Sequence, residues 1–216
     1  MTLVKICGNT TLEDARMSLA AGADMLGFLV GQEKPTVRTF IEPEAARAII
    51  AELPAETFTV LVTTVFDATR IIGLAEMTAV KAVQFHGGTD ADGILKFKKA
   101  LPHVRAWKVV NVFDETAIAE VKSYEGIADA VTLDTGNRAT GQVGGTGQTH
   151  DWSVSRRVVE STSLPIILAG GLNPENVEEA IRTVHPYAVD VNSGVTTDGK
   201  KDAEKLKQFI RNAKGI

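Results

Sequence analysis

The stretch from Pro165 to Val195, PIILAGGLNPENVEEAIRTVHPYAVDVNSGV, holds a complete strand–turn–helix–strand unit. Residues 165–169 (PIILA) are a short apolar, β-branched run of the kind a buried strand needs. Gly170-Gly171 ends that run. Asn173-Pro174-Glu175 is a helix start signal, with a capping residue and Pro at the first helical position. Apolar residues then recur at helical spacing through 177–184, and 187–191 (YAVDV) reads as the next strand. Twenty-two residues separate the two strand starts, room for a crossover helix and its loops, so the strands are expected to lie parallel.

Outward from this unit the pattern repeats over the whole chain. Six earlier runs have strand character: 3–6 (LVKI), 24–30 (DMLGFLV), 57–63 (TFTVLVT), 81–85 (KAVQF), 103–109 (HVRAWKV) and 129–133 (DAVTL). Amphipathic stretches lie between them. Thr10 or Thr11 caps the first, Glu42-Pro43-Glu44 opens another, and 202–213 reads as the last helix. Eight alternating units predict a single (β/α)8 barrel of parallel strands spanning residues 1–216; an open doubly wound sheet is the runner-up. Two connections are long, 31–41 and the glycine-rich 134–150, and both follow strands, on the face where such barrels place their sites.

Composition narrows the function. The formal net charge of -4, with 23% charged residues, offers no broad basic field for nucleic acid or acidic membrane. A local anion site needs no such field, since backbone N–H groups at glycine loops and helix starts bind phosphate. Cys7 is the single cysteine, which excludes an intramolecular disulfide. No run is apolar enough to span a membrane and none reads as a signal peptide, so a cytoplasmic location is expected. No grouping of His, Asp or Glu has metal-ligand spacing, and no metal site is expected.

Strand ends select the chemistry. Cys7 follows the first strand and Asp134 the sixth, on different sides of a barrel mouth. A thiol and a carboxylic acid become a base and an acid if their surroundings move each toward neutrality. Asp134-Thr135-Gly136 also reads as a simple turn. Gly170, Gly171, Ser193 and Gly194 stand after the seventh and eighth strands, the usual phosphate position in these barrels, and Gly145, Thr146 and Gly147 add donors from the sixth loop. Arg38, in the second loop, suits a carboxylate. Gln84 and His86 point to one side of the fourth strand and Phe85 to the other, while Asp190 closes the eighth.

Lys5-Ile6-Cys7-Gly8, Val83-Gln84-Phe85-His86-Gly87, Leu133-Asp134-Thr135, Gly144-Gly145-Thr146-Gly147, Leu168-Ala169-Gly170-Gly171-Leu172 and Val189-Asp190-Val191-Asn192-Ser193-Gly194-Val195 together resemble the phosphoribosylanthranilate isomerase family, as does Gly199-Lys200-Lys201-Asp202. The resemblance implies an Amadori rearrangement of N-(5-phosphoribosyl)anthranilate in tryptophan biosynthesis, without a cofactor. It implies Asp134 as acid, Cys7 as base, Arg38 as the anthranilate carboxylate clamp, and the glycine loops as the phosphate site. The chain departs from the family pattern at Thr36-Val37-Arg38, where Ser-Pro-Arg is usual, at Phe85 for Leu, at His150 for Phe, and at Asn192 for Ser. A histidine-pathway aminoaldose isomerase, or a bifunctional relative, is the alternative on the same barrel, but that family resembles this one with an aspartate where Cys7 stands. A metal-dependent pentose-phosphate epimerase lacks its ligands here. A phosphate-ligand binding protein would need neither Cys7 nor Asp134. The expected partner is a phosphorylated small molecule, and monomer and homodimer both stay open.

Overall fold

The structure, a computed structural model, describes residues 2–32, 39–137, 142–143 and 149–216. Among these, eight strands alternate with eight helices: β1 Leu3–Ile6, α1 Leu12–Ala20, β2 Met25–Leu29, α2 Pro43–Ala51, β3 Phe58–Thr63, α3 Ala68–Thr78, β4 Ala82–Phe85, α4 Ala91–Ala100. They continue as β5 Arg105–Val112, α5 Thr116–Lys122, β6 Ala130–Asn137, α6 Trp152–Ser161, β7 Ile166–Leu168, α7 Val177–Val184, β8 Ala188–Val191 and α8 Ala203–Lys214. Each strand pairs in parallel with its neighbours in chain order, and β8 returns to β1 through Leu3↔Ala188 and Ile6↔Val191. The sheet therefore closes, and the open doubly wound alternative falls.

Closure buries both faces of every strand, so the strands are mostly apolar on both faces, with Lys5, Gln84, Lys108, Asp134 and Asp190 as buried polar exceptions. Side-chain parity divides them. Met25, Val60, Val62, Ala82, Trp107, Ala130, Ile167 and Ala188 fill the barrel, while Leu26, Phe28, Leu61, Val83, Phe85, Leu133 and Val189 pack outward under the helices. Phe85 is fully buried and meets Phe97 of α4 edge to face, with centroids 5.2 Å apart. Phe85→Ala is expected to cost about 3–5 kcal/mol of stability, measured by denaturant unfolding, through lost burial and a cavity.

Side chains close the helix starts. Thr11 accepts from Asp14 N at 3.0 Å while the Asp14 carboxylate accepts from Thr11 N, a reciprocal capping box on α1. Asp67, Asp90, Asp151 and Asp202 cap α3, α4, α6 and α8, and Pro43 opens α2. The seventh helix differs from expectation. Asn173 accepts from Glu175 N and Asn176 N at 3.0 Å, so it caps a separate turn, and α7 starts only at Val177.

Two strands differ from their expected bounds by more than one residue at an end. β5 starts at Arg105 rather than 103, because Val104 N bonds back to Leu101 O in a turn; it runs on to Val112 because Asn111 and Val112 pair with Asp134 and Thr135. β6 continues past Leu133 because Gly136 and Asn137 pair antiparallel with the short strand Gln142–Val143. Asp134-Thr135-Gly136 is thus strand, not turn.

Candidate active site

The carboxyl end of β1 places Lys5 and Cys7 two residues apart, and both point into the barrel by strand parity. Lys5 is fully buried, and its Nζ donates to Asp190 Oδ2 at 2.7 Å. Register explains the pairing, since Lys5 lies opposite Asp190 where β1 meets β8. Gly27 on β2 leaves the room: a Cβ there would stand 2.8 Å from Cys7 Sγ and 3.1 Å from Lys5 Cε. Burial alone would lower the pKa of Lys5, but the charges of Asp190 and Cys7 and its hydrogen bonds to them outweigh it and keep the ammonium. Burial raises the pKa of Cys7 above its ordinary value, against the opposing charges of Lys5 and Lys201. This shift runs against the one a base needs, because a buried thiolate loses more hydration than the two lysines restore.

Across the mouth, Asp134 on β6 is buried, and its Oδ1 accepts from Thr135 N at 2.7 Å. Its Oδ2 lies 3.6 Å from Nε2 of His86, the residue after β4. Burial raises the Asp134 pKa more than His86 and the Thr135 N–H lower it, so protonation is favoured relative to a free aspartate. Burial likewise lowers the His86 pKa and keeps the imidazole neutral. Gln84 sits below His86 with Oε1 buried and without a hydrogen-bond partner among the described residues. Continued one residue, the β6–β7 and β7–β8 registers put Asp134, Ala169 and Asp190 on one level. Lys5 and Asp190 act electrostatically on both Cys7 and Asp134, so the two sequence candidates flank one buried charge cluster.

A hairpin that periodicity did not find completes the cluster. Thr196–Thr197 pairs antiparallel with Lys200–Lys201 around Asp198-Gly199, both at positive φ (52° and 80°). It carries Lys201 back to donate to Cys7 O at 2.5 Å and to Asn192 O at 3.3 Å. Burial lowers the Lys201 pKa to about 8. Asn192 packs against Gly8, where any Cβ would strike it, and donates to Thr39 Oγ1 at 3.1 Å.

After β7, Gly170 and Gly171 take positive φ (84° and 65°), and a Cβ on Gly170 would run into Thr135. After β8, Ser193–Val195 forms one 3₁₀ turn, and a Cβ on Gly194 would strike Leu172 O. The two loops therefore interlock by backbone contact at the position where barrels bind phosphate. Arg38, Gly145, Thr146 and Gly147 lie outside the described residues.

His150, the departure from Phe, ties these parts together. Its Nδ1 lies 2.9 Å from Thr135 Oγ1 and its Nε2 2.6 Å from Ser155 Oγ on α6. Burial lowers its pKa to about 4, so the folded chain holds it neutral where the unfolded chain, with a histidine pKa of 6.5, begins to bind a proton. Stability is thus expected to fall as pH drops from 6.5 toward about 4. His150→Phe should flatten that part of the curve of melting temperature against pH, and an unchanged slope would remove His150 as its cause.

The structure gathers Cys7, Asp134, Gln84, His86, Asp190 and the two described glycine loops at the carboxyl ends of the strands, together with Lys5 and Lys201, which sequence reasoning did not single out. Lys5 had a signal: in LVKI it shares the inward parity of Cys7. Among the described residues, no group of three or more His, Cys, Asp or Glu is arranged to hold a metal, and no helix is long and apolar enough to cross a membrane.

A closed parallel barrel with a thiol, a carboxylic acid and glycine loops at the carboxyl ends of its strands is the frame of a sugar-phosphate isomerase. Residues 4–212 match the family described as N-(5'phosphoribosyl)anthranilate (PRA) isomerase, and the chain belongs to that family. It is 42% identical to N-(5'-phosphoribosyl)anthranilate isomerase 2 of Methanosarcina mazei, covering 98% of this chain and 93% of the relative. The solved phosphoribosyl anthranilate isomerase of Thermotoga maritima superposes with a TM-score of 0.87 at 38% identity, covering all of both chains. A further solved isomerase, in complex with reduced 1-(o-carboxyphenylamino)-1-deoxyribulose 5-phosphate, superposes with a TM-score of 0.83 at 36% identity, again over all of both chains.

Proposed function

We propose that the chain isomerises N-(5-phosphoribosyl)anthranilate to 1-(2-carboxyphenylamino)-1-deoxyribulose 5-phosphate in tryptophan biosynthesis, with Asp134 as acid and Cys7 as base. The observation that carries this reading is the buried cluster in which Lys5 and Asp190 act electrostatically on both Cys7 and Asp134, in a chain whose relatives carry the isomerase name. Asp134 gives its proton to the furanose ring oxygen. The C1′–O bond breaks as the anthranilate nitrogen lone pair forms the Schiff base. The Cys7 thiolate takes the C2′ proton, and the C–H electron pair moves toward nitrogen to leave an enolamine. A proton then leaves the 2′ oxygen and one is added at C1′, so the ketose is an isomer of the aldose. The substrate's own nitrogen is the electron sink, and the reading requires no cofactor or metal.

Gly170, Gly171, Ser193 and Gly194, with Gly145, Thr146 and Gly147, hold the phosphate in this reading, and Gln84, His86 and Asp190 face the ribose. A charged phosphate ester does not cross a membrane unaided, which fits a cytoplasmic enzyme. Arg38 clamps the anthranilate carboxylate, so Arg38→Ala should raise KM roughly tenfold or more, as loss of a charge-assisted pair does, with a smaller change in kcat. An unchanged KM would assign the clamp to another group.

Substrate choice tests the reading against its alternative. Purified protein is offered phosphoribosylanthranilate and, separately, the histidine-pathway aminoaldose. Turnover of the first alone is expected, because Cys7 stands where the other family carries an aspartate. Preference for the second would overturn the assignment.

A further inference from the structure

We propose that the Lys5–Asp190 pair sets the charge state of Cys7, Lys5 as a positioning residue that holds its ammonium against the sulfur and Asp190 as the group that holds Lys5. The inference rests on Cys7 acting as the base. It concerns the step that reading leaves unexplained, how a buried thiol comes to be a thiolate.

Stability gives little reason for this pair. Taking two charges out of water costs several kcal/mol per ion, and hydrophobic replacements of buried ion pairs are often neutral or stabilising. Neighbouring interior positions are filled by Met25, Val60, Ala82 and Ala188, so an apolar layer is available to this barrel. Instead the barrel spends the position on a fully buried lysine whose Nζ lies 2.7 Å from one carboxylate oxygen. Gly27 permits the sulfur and the lysine chain to crowd one point, at 2.8 Å for Cys7 Sγ and 3.1 Å for Lys5 Cε. The other carboxylate oxygen, Asp190 Oδ1, is buried without a hydrogen-bond partner among the described residues. The aspartate therefore does not spend all its acceptor capacity on Lys5, and the ammonium has donors left for the sulfur.

Other charged groups face the same place. Lys201 comes from the hairpin after β8, Asp190 from β8 itself, and His86 and Asp134 stand across the mouth. Lys201 acts more weakly on the sulfur than Lys5: it donates to the Cys7 carbonyl, and burial lowers its pKa to about 8. His86 is kept neutral by burial. Lys5 retains its charge, and it is the cation on the sulfur's own strand and parity.

Because Cys7 is the only cysteine, the growth of thiolate absorbance with pH, referenced to Cys7→Ser, reports this residue alone. Lys5→Met should move the midpoint up by about 1–3 pH units, the range expected when an adjacent opposite charge is lost. Asp190→Asn should move it down, since the carboxylate that opposes the thiolate is gone and the thiolate itself then pairs with the Lys5 ammonium. Opposite shifts are the signature, because general loosening of the barrel would move both variants the same way. If Lys5→Met does not fold, the double variant Lys5→Met/Asp190→Asn removes both charges, and its midpoint should lie above that of Asp190→Asn. Equal midpoints throughout, or shifts of one sign, overturn the inference. An active Cys7→Ser enzyme would instead overturn the assignment of Cys7 as base, whatever the midpoints show.

Discussion

Cys7→Ser should lower turnover by about 10²–10⁴-fold, the usual contribution of a positioned acid–base group. The substitution is nearly isosteric at a buried position, so the barrel and its phosphate loops should persist. What changes is acidity. A thiol ionises near pH 8.5 in water, within reach of an adjacent ammonium, whereas an alkyl hydroxyl lies far above that range. The loss should therefore appear in kcat and kcat/KM together, with affinity for a product analogue largely kept, as expected when an interaction made only in the transition state is removed. Near-normal kcat would remove Cys7 from the mechanism.

Asp134→Asn should cause a loss of similar size for the opposite reason, since it removes the proton that opens the ring. Asparagine can still accept from Thr135 N through its side-chain oxygen, so the bond that orients Asp134 at 2.7 Å survives and the fold should be unaffected. The pH profile distinguishes this role. The acid must be protonated, and burial raises its pKa above the ordinary carboxylate range, so wild-type kcat should fall as pH rises through that raised value. His86 lies 3.6 Å away and titrates with Asp134, so the falling limb belongs to the pair. In Asp134→Asn the limb should disappear. A limb of unchanged shape would assign the acid to another residue.

Much of the fold was legible because a parallel barrel writes itself as repeated apolar runs separated by helical period. The boundaries that failed did so for identifiable reasons. Asn111 interrupts the apolar run of β5, and only its pairing with Asp134 shows that the strand continues. Asp134-Thr135-Gly136 has the composition of a turn, but Asp134 and Thr135 pair with Asn111 and Val112 of β5, and Gly136 pairs with Val143 of a short antiparallel strand. Asn173-Pro174 has the form of a cap for α7, but Asn176 and Asn173 close a turn of their own first.

The site was legible at its strand ends and less so in its charges. Cys7, His86 and Asp134 stand at positions that barrel geometry singles out. Lys5 hides in an apolar run, where a lysine reads as an exposed edge, and only closure of β1 on β8 pairs it with Asp190. Lys201 reaches the Cys7 carbonyl through a hairpin whose Asp198-Gly199 turn is short but readable, while its destination depends on packing 194 residues away in the chain. The direction of the Cys7 shift could not come from sequence at all, because it depends on how burial balances two lysines.

The most direct test of the account is the decay of phosphoribosylanthranilate fluorescence, with the substrate generated in situ and purified protein added without metal or cofactor. Rapid decay that depends on protein concentration and is lost in Cys7→Ser is the predicted result. Intact fluorescence with folded wild-type protein would contradict it.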